Sequence, residues 1–295
     1  MFNKKEVTSI IQQALTEDIG PGDWTTLWLI PPGQKNRAAV VVGQSGIIAG
    51  LEIAGMFFED HQFKTLVKDG SEVTKGQAVA EIFAPTRVIL TKERTILNFM
   101  QRMSGIATLT RKFVEAVEGT GVVILDTRKT APGLRILDKW AVRLGGGQNH
   151  RFGLFDMILV KDNHIKAAGS ITKVVEKLKK PARGWSRPRA DGPWAQALGR
   201  KNSKNLDIEI EVENLEQLKE ALKLKVKRIL LDNMSISQIR KAVRINGGQA
   251  SLEVSGGVKL ENVREIAKTG VDFISVGTIT HSAPALDIGI EITNA

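Results

Sequence analysis

Residues 207–233 read DIEIEVENLEQLKEALKLKVKRILLDN. An alternating apolar run, DIEIEV (207–212), is followed by a helical stretch and then by a second apolar run, RILL (228–231), which ends at Asp232-Asn233. Strand, helix, strand is the unit of a parallel sheet. The pattern extends outward on both sides of this segment. VVILD (122–126) and DMILV (156–160) precede it, and SLEV (251–254) and DFISV (272–276) follow, with helical stretches between most of them. Repeated βα units of this kind predict an α/β barrel related to the TIM type.

Before Gly121 the pattern differs. Val7, Ile10, Ile11, Ala14 and Leu15 recur at helical spacing over Lys4 to Asp18, which predicts an N-terminal helix. Short strand-like runs follow, RAAVVVG, GIIAG, FKTLVK and VAEIF, with turn signals such as Asp69-Gly70 between them. They predict a smaller N-terminal α+β domain. A long helical pattern from about Val88 to Val117 leads on to the barrel.

Composition limits the chemistry. The chain has 295 residues, 42% of them hydrophobic, enough for one small and one larger domain. It has no cysteine, so disulfides, thiolate zinc sites and a cysteine nucleophile are excluded, and a reducing, cytoplasmic setting is expected. Neither a signal-type apolar run at the N-terminus nor a stretch of 18 apolar residues occurs, so no membrane role is expected. The net charge of +10 raises nucleic-acid binding as a question. The charge is local, however: Lys173 to Asn205 carries ten Lys and Arg against two acids. That segment includes PARGWSRPRADGPW, which reads as a long loop or insertion over 181–205 on the barrel face opposite the strand ends. Nucleic acid is not the expected partner.

In βα barrels chemistry sits where strands end. Here the ends are polar in every unit: Thr127-Arg128-Lys129, Lys161-Asp162-Asn163, Glu211, Asp232-Asn233, Ser255-Gly256-Gly257 and Gly277-Thr278. We read them as one ring around one pocket. Each has a plainer reading. Glu209 and Glu211 alternate with apolar residues as on a half-exposed strand, but inside a barrel an unpaired carboxylate is costly, which favours function for Glu211 and leaves Glu209 open. Asp232 is either a ring member or a cap for the helix near Ser235. The two glycine loops after the last two strands suit a phosphate, bound by backbone N–H groups and a helix N-terminus. Arg128, Lys129, Arg151 and Lys161, with His150, form a cationic half suited to carboxylates. Three glycines, Gly145 to Gly147, precede His150-Arg151 and predict a tight turn presenting that pair.

The stretch DTRKTAPGLRILDKWAVRLGGGQNHRFGLFDMILVKDNHI (126–165) resembles the signature of the nicotinate-nucleotide pyrophosphorylases, also called quinolinate phosphoribosyltransferases. ALTEDIGPGDWTT, ERTILNFMQRMSGIAT, EIEVEN, ILLDNM, LEVSGGV and ISVGTITHSAPALDI also match, in the family's order and across nearly the whole chain. The resemblance implies an N-terminal α/β domain (1–115, with the tail 283–295 packing on it) and an incomplete TIM-like barrel (116–282). It implies a homodimer with shared active sites, or a higher oligomer built from it. It also implies the reaction of quinolinate with phosphoribosyl pyrophosphate to give nicotinate mononucleotide, pyrophosphate and CO2, with Mg2+, in NAD biosynthesis.

Carried over by motif, Arg128, His150, Arg151 and Lys161 hold the quinolinate carboxylates, and Arg94 reaches in from the neighbouring subunit. Thr127, Lys129, Glu211, Asp232, Ser255, Gly256, Gly257, Val276, Gly277 and Thr278 bind phosphoribosyl pyrophosphate, with His281 nearby. Lys161, Glu211 and Asp232 are the catalytic candidates, and Glu211 and Asp232 meet the metal directly or through the pyrophosphate. Two departures from the family pattern are visible: Trp24, expected to be a packing variation, and the long segment 181–205. A Schiff-base aldolase built on Lys161 and a nucleic-acid binder built on the basic segment are the rival readings.

Overall fold

The computed structural model describes residues 4–179 and 208–293. The basic segment 181–205 therefore lies outside the described residues. Two compact units are present. One comprises Met1–Arg111, Thr130–Gly146 and Thr278–Ala295, the other Lys112–Lys129 and Gly147–Gly277.

The first unit contains strands β1 (Lys35–Val42), β2 (Gly46–Ile47), β3 (Gln62–Thr65), β4 (Glu72–Val73) and β5 (Ala78–Pro85). β1 pairs antiparallel with β5 on one side and with the chain's last strand, Ile288–Thr293, on the other; β3 lies outside β5. Ala38, Val40 and Val42 are buried at every second position of β1, so one face of this sheet enters a core and the other does not. β2 and β4 form a separate two-stranded ribbon. The long helix spans Thr86–Ala116, and its buried residues Ile89, Ile96, Met100 and Met103 fall three, four or seven apart, as a buried helical stripe requires.

The segment Thr130–Gly146, assigned to the barrel from sequence, belongs to this first unit, and its helix Arg135–Leu144 shows why. Asp138 on that helix is fully buried, and Arg102 of the long helix grips it with two hydrogen bonds, Nε to Oδ1 at 2.8 Å and Nη2 to Oδ2 at 2.7 Å. Asp138 also accepts the Ala131 amide at 3.1 Å, and Arg102 donates to the Thr280 carbonyl at 3.2 Å. One ion pair thus ties three separate chain segments together. Gly145 fits the same packing: a Cβ there would overlap the Ala107 carbonyl and the Thr110 side chain. Of the three consecutive glycines, Gly145 permits this close approach and Gly146, at φ +94°, makes the turn. The expectation that Trp24 is a packing variation does not hold within the chain, since the residue is 62% exposed on the short helix Trp24–Leu29.

The second unit contains β6 (Val123–Leu125), β7 (Ile158–Val160), β8 (Ile208–Val212), β9 (Arg228–Asp232), β10 (Ser251–Ser255) and β11 (Phe273–Ser275). Their order is β6-β11-β10-β9-β8-β7, and every pairing is parallel. The first strand joins the last while the first and second stand at the two ends, which is the order of a barrel left open between β6 and β7. A single-residue parallel bridge, Leu125 to Gln148, extends the β6 end. Helices follow the strands with ordinary start signals. Asn214 caps Leu215–Lys223 by accepting the Gln217 amide at 2.9 Å, and Ser235 caps Ile236–Asn246 in a box with Gln238. Because Ser235 is that cap, Asp232 is left for the strand end.

Candidate active site

The acidic residues stand at the ends of adjacent parallel strands. Glu211, on β8, is 6% exposed, and Lys161, directly after β7, extends to it with Nζ 2.9 Å from Oε2. Asp232 is the last residue of β9. Burial raises its pKa above the usual carboxylate value, and the negative charge of Glu211 raises it further. Asn233, in the left-handed region at φ +52°, donates from Nδ2 to Asp232 Oδ2 at 2.7 Å and from its amide to the Ser255 carbonyl at 2.9 Å. Gly256 and Gly257 both have positive φ, and a Cβ on Gly256 would overlap the Asn233 side chain. Sequence reasoning placed Asn233 in the ring of strand-end residues but gave it no role of its own. Its signal was available, because Asn is among the few residues that tolerate a left-handed turn directly after a strand.

The cationic side is built from the β6 end and the chain that follows the glycines. Asp126, buried directly after β6, accepts the His150 amide at 2.9 Å and the Asn149 side chain at 2.6 Å. Asp156 accepts the amides of Phe152 and Gly153 at 2.8 and 3.2 Å. Between these two anchors Arg151 is held at 5% exposure, with Nη1 directed at the Met157 carbonyl at 3.4 Å. Burial lowers the pKa of its guanidinium, and the nearby charge of Arg128 lowers it further. The carboxylates of Asp156, Glu209 and Glu211 offset part of that effect, and a bound anion would add to the offset. Thr127 Oγ1 accepts the Lys129 amide at 3.1 Å, shaping the turn that carries Arg128 and Lys129.

His150, next to Arg151 in the chain, also meets two acidic residues inside the barrel. Its ring turns into the barrel, 7% exposed, with Nε2 at 3.0 Å from Glu209 and 3.4 Å from Glu253. Nδ1 accepts the Arg151 amide at 2.7 Å. Arg228 bridges the same two carboxylates, with Nε 3.1 Å from Glu209 and Nη2 on Glu253, while its guanidinium lies over the Phe273 ring. Ser275 donates to Glu253. Glu209, which the sequence left open, is therefore a fully buried member of an ionic layer.

Charge balance explains the layer's internal chemistry. Burial opposes a charge on His150, but hydrogen bonds to Glu209 and Glu253 outweigh it and raise its pKa to about 9. The Arg151 amide at Nδ1 opposes the second ring proton and favours placing it on Glu209, whose pKa burial raises. Either placement leaves two carboxylates, one guanidinium and one further proton, electrically neutral together. Burial also works against the Glu253 carboxylate, yet its bonds to His150 and Arg228 hold it down to about 2. The spacing of His150, Glu209 and Glu253 would admit a metal ion. Arg228 already supplies the cation there.

The other residues marked in the sequence fall in several places. Val276 is buried, and its amide is committed to the Leu125 carbonyl at 2.9 Å, so it holds β11 to β6. Gly277 ends the second unit, while Thr278 and His281 belong to the short helix Thr278–His281 of the first. His281 is exposed, with Nδ1 2.6 Å from Ser282 Oγ. Arg94 is exposed on the long helix of the first unit.

This geometry can be set beside known proteins. The family model described as the quinolinate phosphoribosyl transferase N-terminal domain matches residues 23–104, and that of the C-terminal domain matches residues 106–185 and 192–291. The chain belongs to the quinolinate phosphoribosyl transferase family. Among curated relatives in this family, the chloroplastic nicotinate-nucleotide pyrophosphorylase of Arabidopsis thaliana is 41% identical over 97% of this chain and 83% of its own length. A probable nicotinate-nucleotide pyrophosphorylase of Bacillus subtilis is 38% identical over 99% of this chain and 95% of its own. The crystal structure of the Ehrlichia chaffeensis nicotinate-nucleotide pyrophosphorylase superposes with a TM-score of 0.86 at 43% identity, covering 97% of this chain and 98% of that one. The Francisella tularensis structure gives 0.88 at 38% identity, covering 99% and 98%.

Proposed function

We propose that this chain transfers the phosphoribosyl group of phosphoribosyl pyrophosphate to quinolinate, giving nicotinate mononucleotide, pyrophosphate and CO2 in NAD biosynthesis. Family membership supports the reaction. The observation that carries the substrate assignment is the buried Arg151, whose guanidinium lies within the electrostatic reach of Arg128, two cations that suit a small dicarboxylate. Lys161 adds a third cation and, through its ion pair with Glu211, joins this half to the acidic half.

Catalysis in this reading needs no nucleophilic side chain. The C1–pyrophosphate bond breaks and the pyridine nitrogen forms the new bond to C1. Glu211 and Asp232 stabilise the positive charge that develops on the ribose meanwhile. The quaternised ring then accepts the electron pair of the bond to the 2-carboxylate, CO2 leaves, and that carbon takes up a proton. Arg128 and Arg151 hold the ring in place throughout, and the glycine turn Ser255–Gly257 receives a phosphate.

Glu211 and Asp232 also suit Mg2+, since they offer hard oxygen donors at neighbouring strand ends, and the pKa of Asp232 is raised by burial and then by a like charge that a cation would offset. Held by these two residues, Mg2+ would supply positive charge to offset that of the pyrophosphate. Our reading extends to a homodimer in which the exposed Arg94 serves the neighbouring subunit's site, in the cytoplasm. The cysteine-free composition supports that compartment. No helix among the described residues is long and apolar enough to cross a membrane.

Product stoichiometry tests the assignment. Quinolinate should yield nicotinate mononucleotide, pyrophosphate and CO2 in equal amounts, and nicotinate in its place should yield almost none. Equal use of nicotinate would reverse the substrate assignment.

A further inference from the structure

The ionic layer inside the barrel has a regular relation to the strand-end residues. Glu209, Arg228, Glu253 and Ser275 come from β8, β9, β10 and β11. Each precedes a residue of the site on its own strand or just past it by two or four positions: Glu211, Asp232, Ser255 and Gly277. Such offsets keep both on the same face of a strand. The layer therefore forms a floor, one step below the site, within the second unit.

Floors of this kind are ordinarily made of Val, Ile and Leu. Here it is made of charges: Glu209 and Glu253 are fully buried, His150 nearly so, and Arg228 spans both carboxylates. Apolar side chains of similar volume would commonly serve stability as well or better, because buried ions lose their hydration. What the ionic floor supplies instead is direction. Hydrogen bonds fix the His150 ring at Nε2, and the ring fixes the amide of Arg151 at Nδ1, at 3.0 and 2.7 Å. Asp126 holds the His150 amide from the other side. His150 joins floor to clamp.

We propose that Glu209, Arg228 and Glu253 are positioning residues that act through the His150 ring on Arg151 and so set the geometry of the quinolinate clamp. In this account His150 acts through Arg151. The proposal rests on the reading of Arg151 as a quinolinate ligand.

Substitution at Glu253 with two separate readouts tests it. Glu253→Gln keeps the shape and removes the charge. KM for quinolinate, and its Kd by calorimetry, should rise about tenfold or more, while KM for phosphoribosyl pyrophosphate changes by less than about threefold. In an Arg151→Lys background the same substitution should have little further effect on quinolinate Kd, since the residue it acts through is already displaced. If Glu253→Gln does not fold, Ser275→Ala carries the test with every charge in place. It removes one hydrogen bond to Glu253 and should weaken quinolinate alone, by about threefold. Equal losses for both substrates, no loss for either, or additive effects of Glu253→Gln and Arg151→Lys would overturn the proposal. A wild-type protein that binds no quinolinate would overturn the functional reading itself, a different outcome from a working enzyme indifferent to Glu253.

Discussion

Lys161 Nζ lies 2.9 Å from Glu211 Oε2, linking the end of β7 to its paired neighbour β8. In that ion pair Lys161 serves as a cation, not as the amine nucleophile that a Schiff base requires. Borohydride reduction in the presence of a carbonyl substrate should therefore trap no adduct on Lys161. Lys161→Met should lower kcat/KM for quinolinate by roughly 2–5 kcal/mol in transition-state terms, because it leaves Glu211 buried without its cation. A trapped adduct would restore the aldolase reading.

The carboxylate clamp makes a ligand-specific prediction. Arg151→Ala leaves a substrate carboxylate unpaired in a buried setting, at a cost of roughly 2–5 kcal/mol in binding, and Arg128→Ala should act in the same direction. Quinolinate affinity should collapse while phosphoribosyl pyrophosphate affinity changes little, as measured by calorimetry with each ligand alone. Comparable losses for both ligands would remove these residues from the clamp.

Gly256 tests the phosphate side. Its φ of +89° strains any other residue, and an added Cβ meets the Asn233 side chain, which donates to Asp232. Gly256→Ala should cost more than about 1 kcal/mol of stability and raise KM for phosphoribosyl pyrophosphate with less effect on quinolinate. A quinolinate-selective defect would contradict this division of the site.

Most of the barrel was legible in the sequence because its strands are short apolar runs that stop at polar residues, as at Val212 and Leu231. The same rule exposed Lys161, Glu211 and Asp232. The acidic partners of His150 were not legible: adjacency to Arg151 says nothing about which way the ring turns, and burial among Glu209, Glu253 and Arg228 depends on strands far away in the chain. Arg228 was passed over because a cation before an apolar run looks like an ordinary solvated strand start. A signal existed in the positions of Glu209 and Glu253, each two residues ahead of a strand-end residue and on the same strand face. The local pattern of the helix Arg135–Leu144 records its amphipathicity but not the Arg102 partner that anchors Asp138, which comes from a distant part of the chain.

The floor also predicts a pH dependence. Glu253 has its pKa held down to about 2 in the folded protein against a reference of 4.5, so the stability it contributes is present above pH 4.5 and is lost as pH falls toward 2. Urea unfolding followed between pH 5 and 2 should show a fall in stability that is shallower in Glu253→Gln. Parallel curves for the two proteins would mean that Glu253 is not ionised in the native state.

The central claim is that this site consumes quinolinate only with phosphoribosyl pyrophosphate. The most direct measurement is the ultraviolet absorbance of quinolinate over time, with phosphoribosyl pyrophosphate and Mg2+ added together and each omitted in turn. We predict loss of the quinolinate band with all components present, and none when phosphoribosyl pyrophosphate is left out. A stable band in the complete mixture, or the same loss without phosphoribosyl pyrophosphate, would contradict the account.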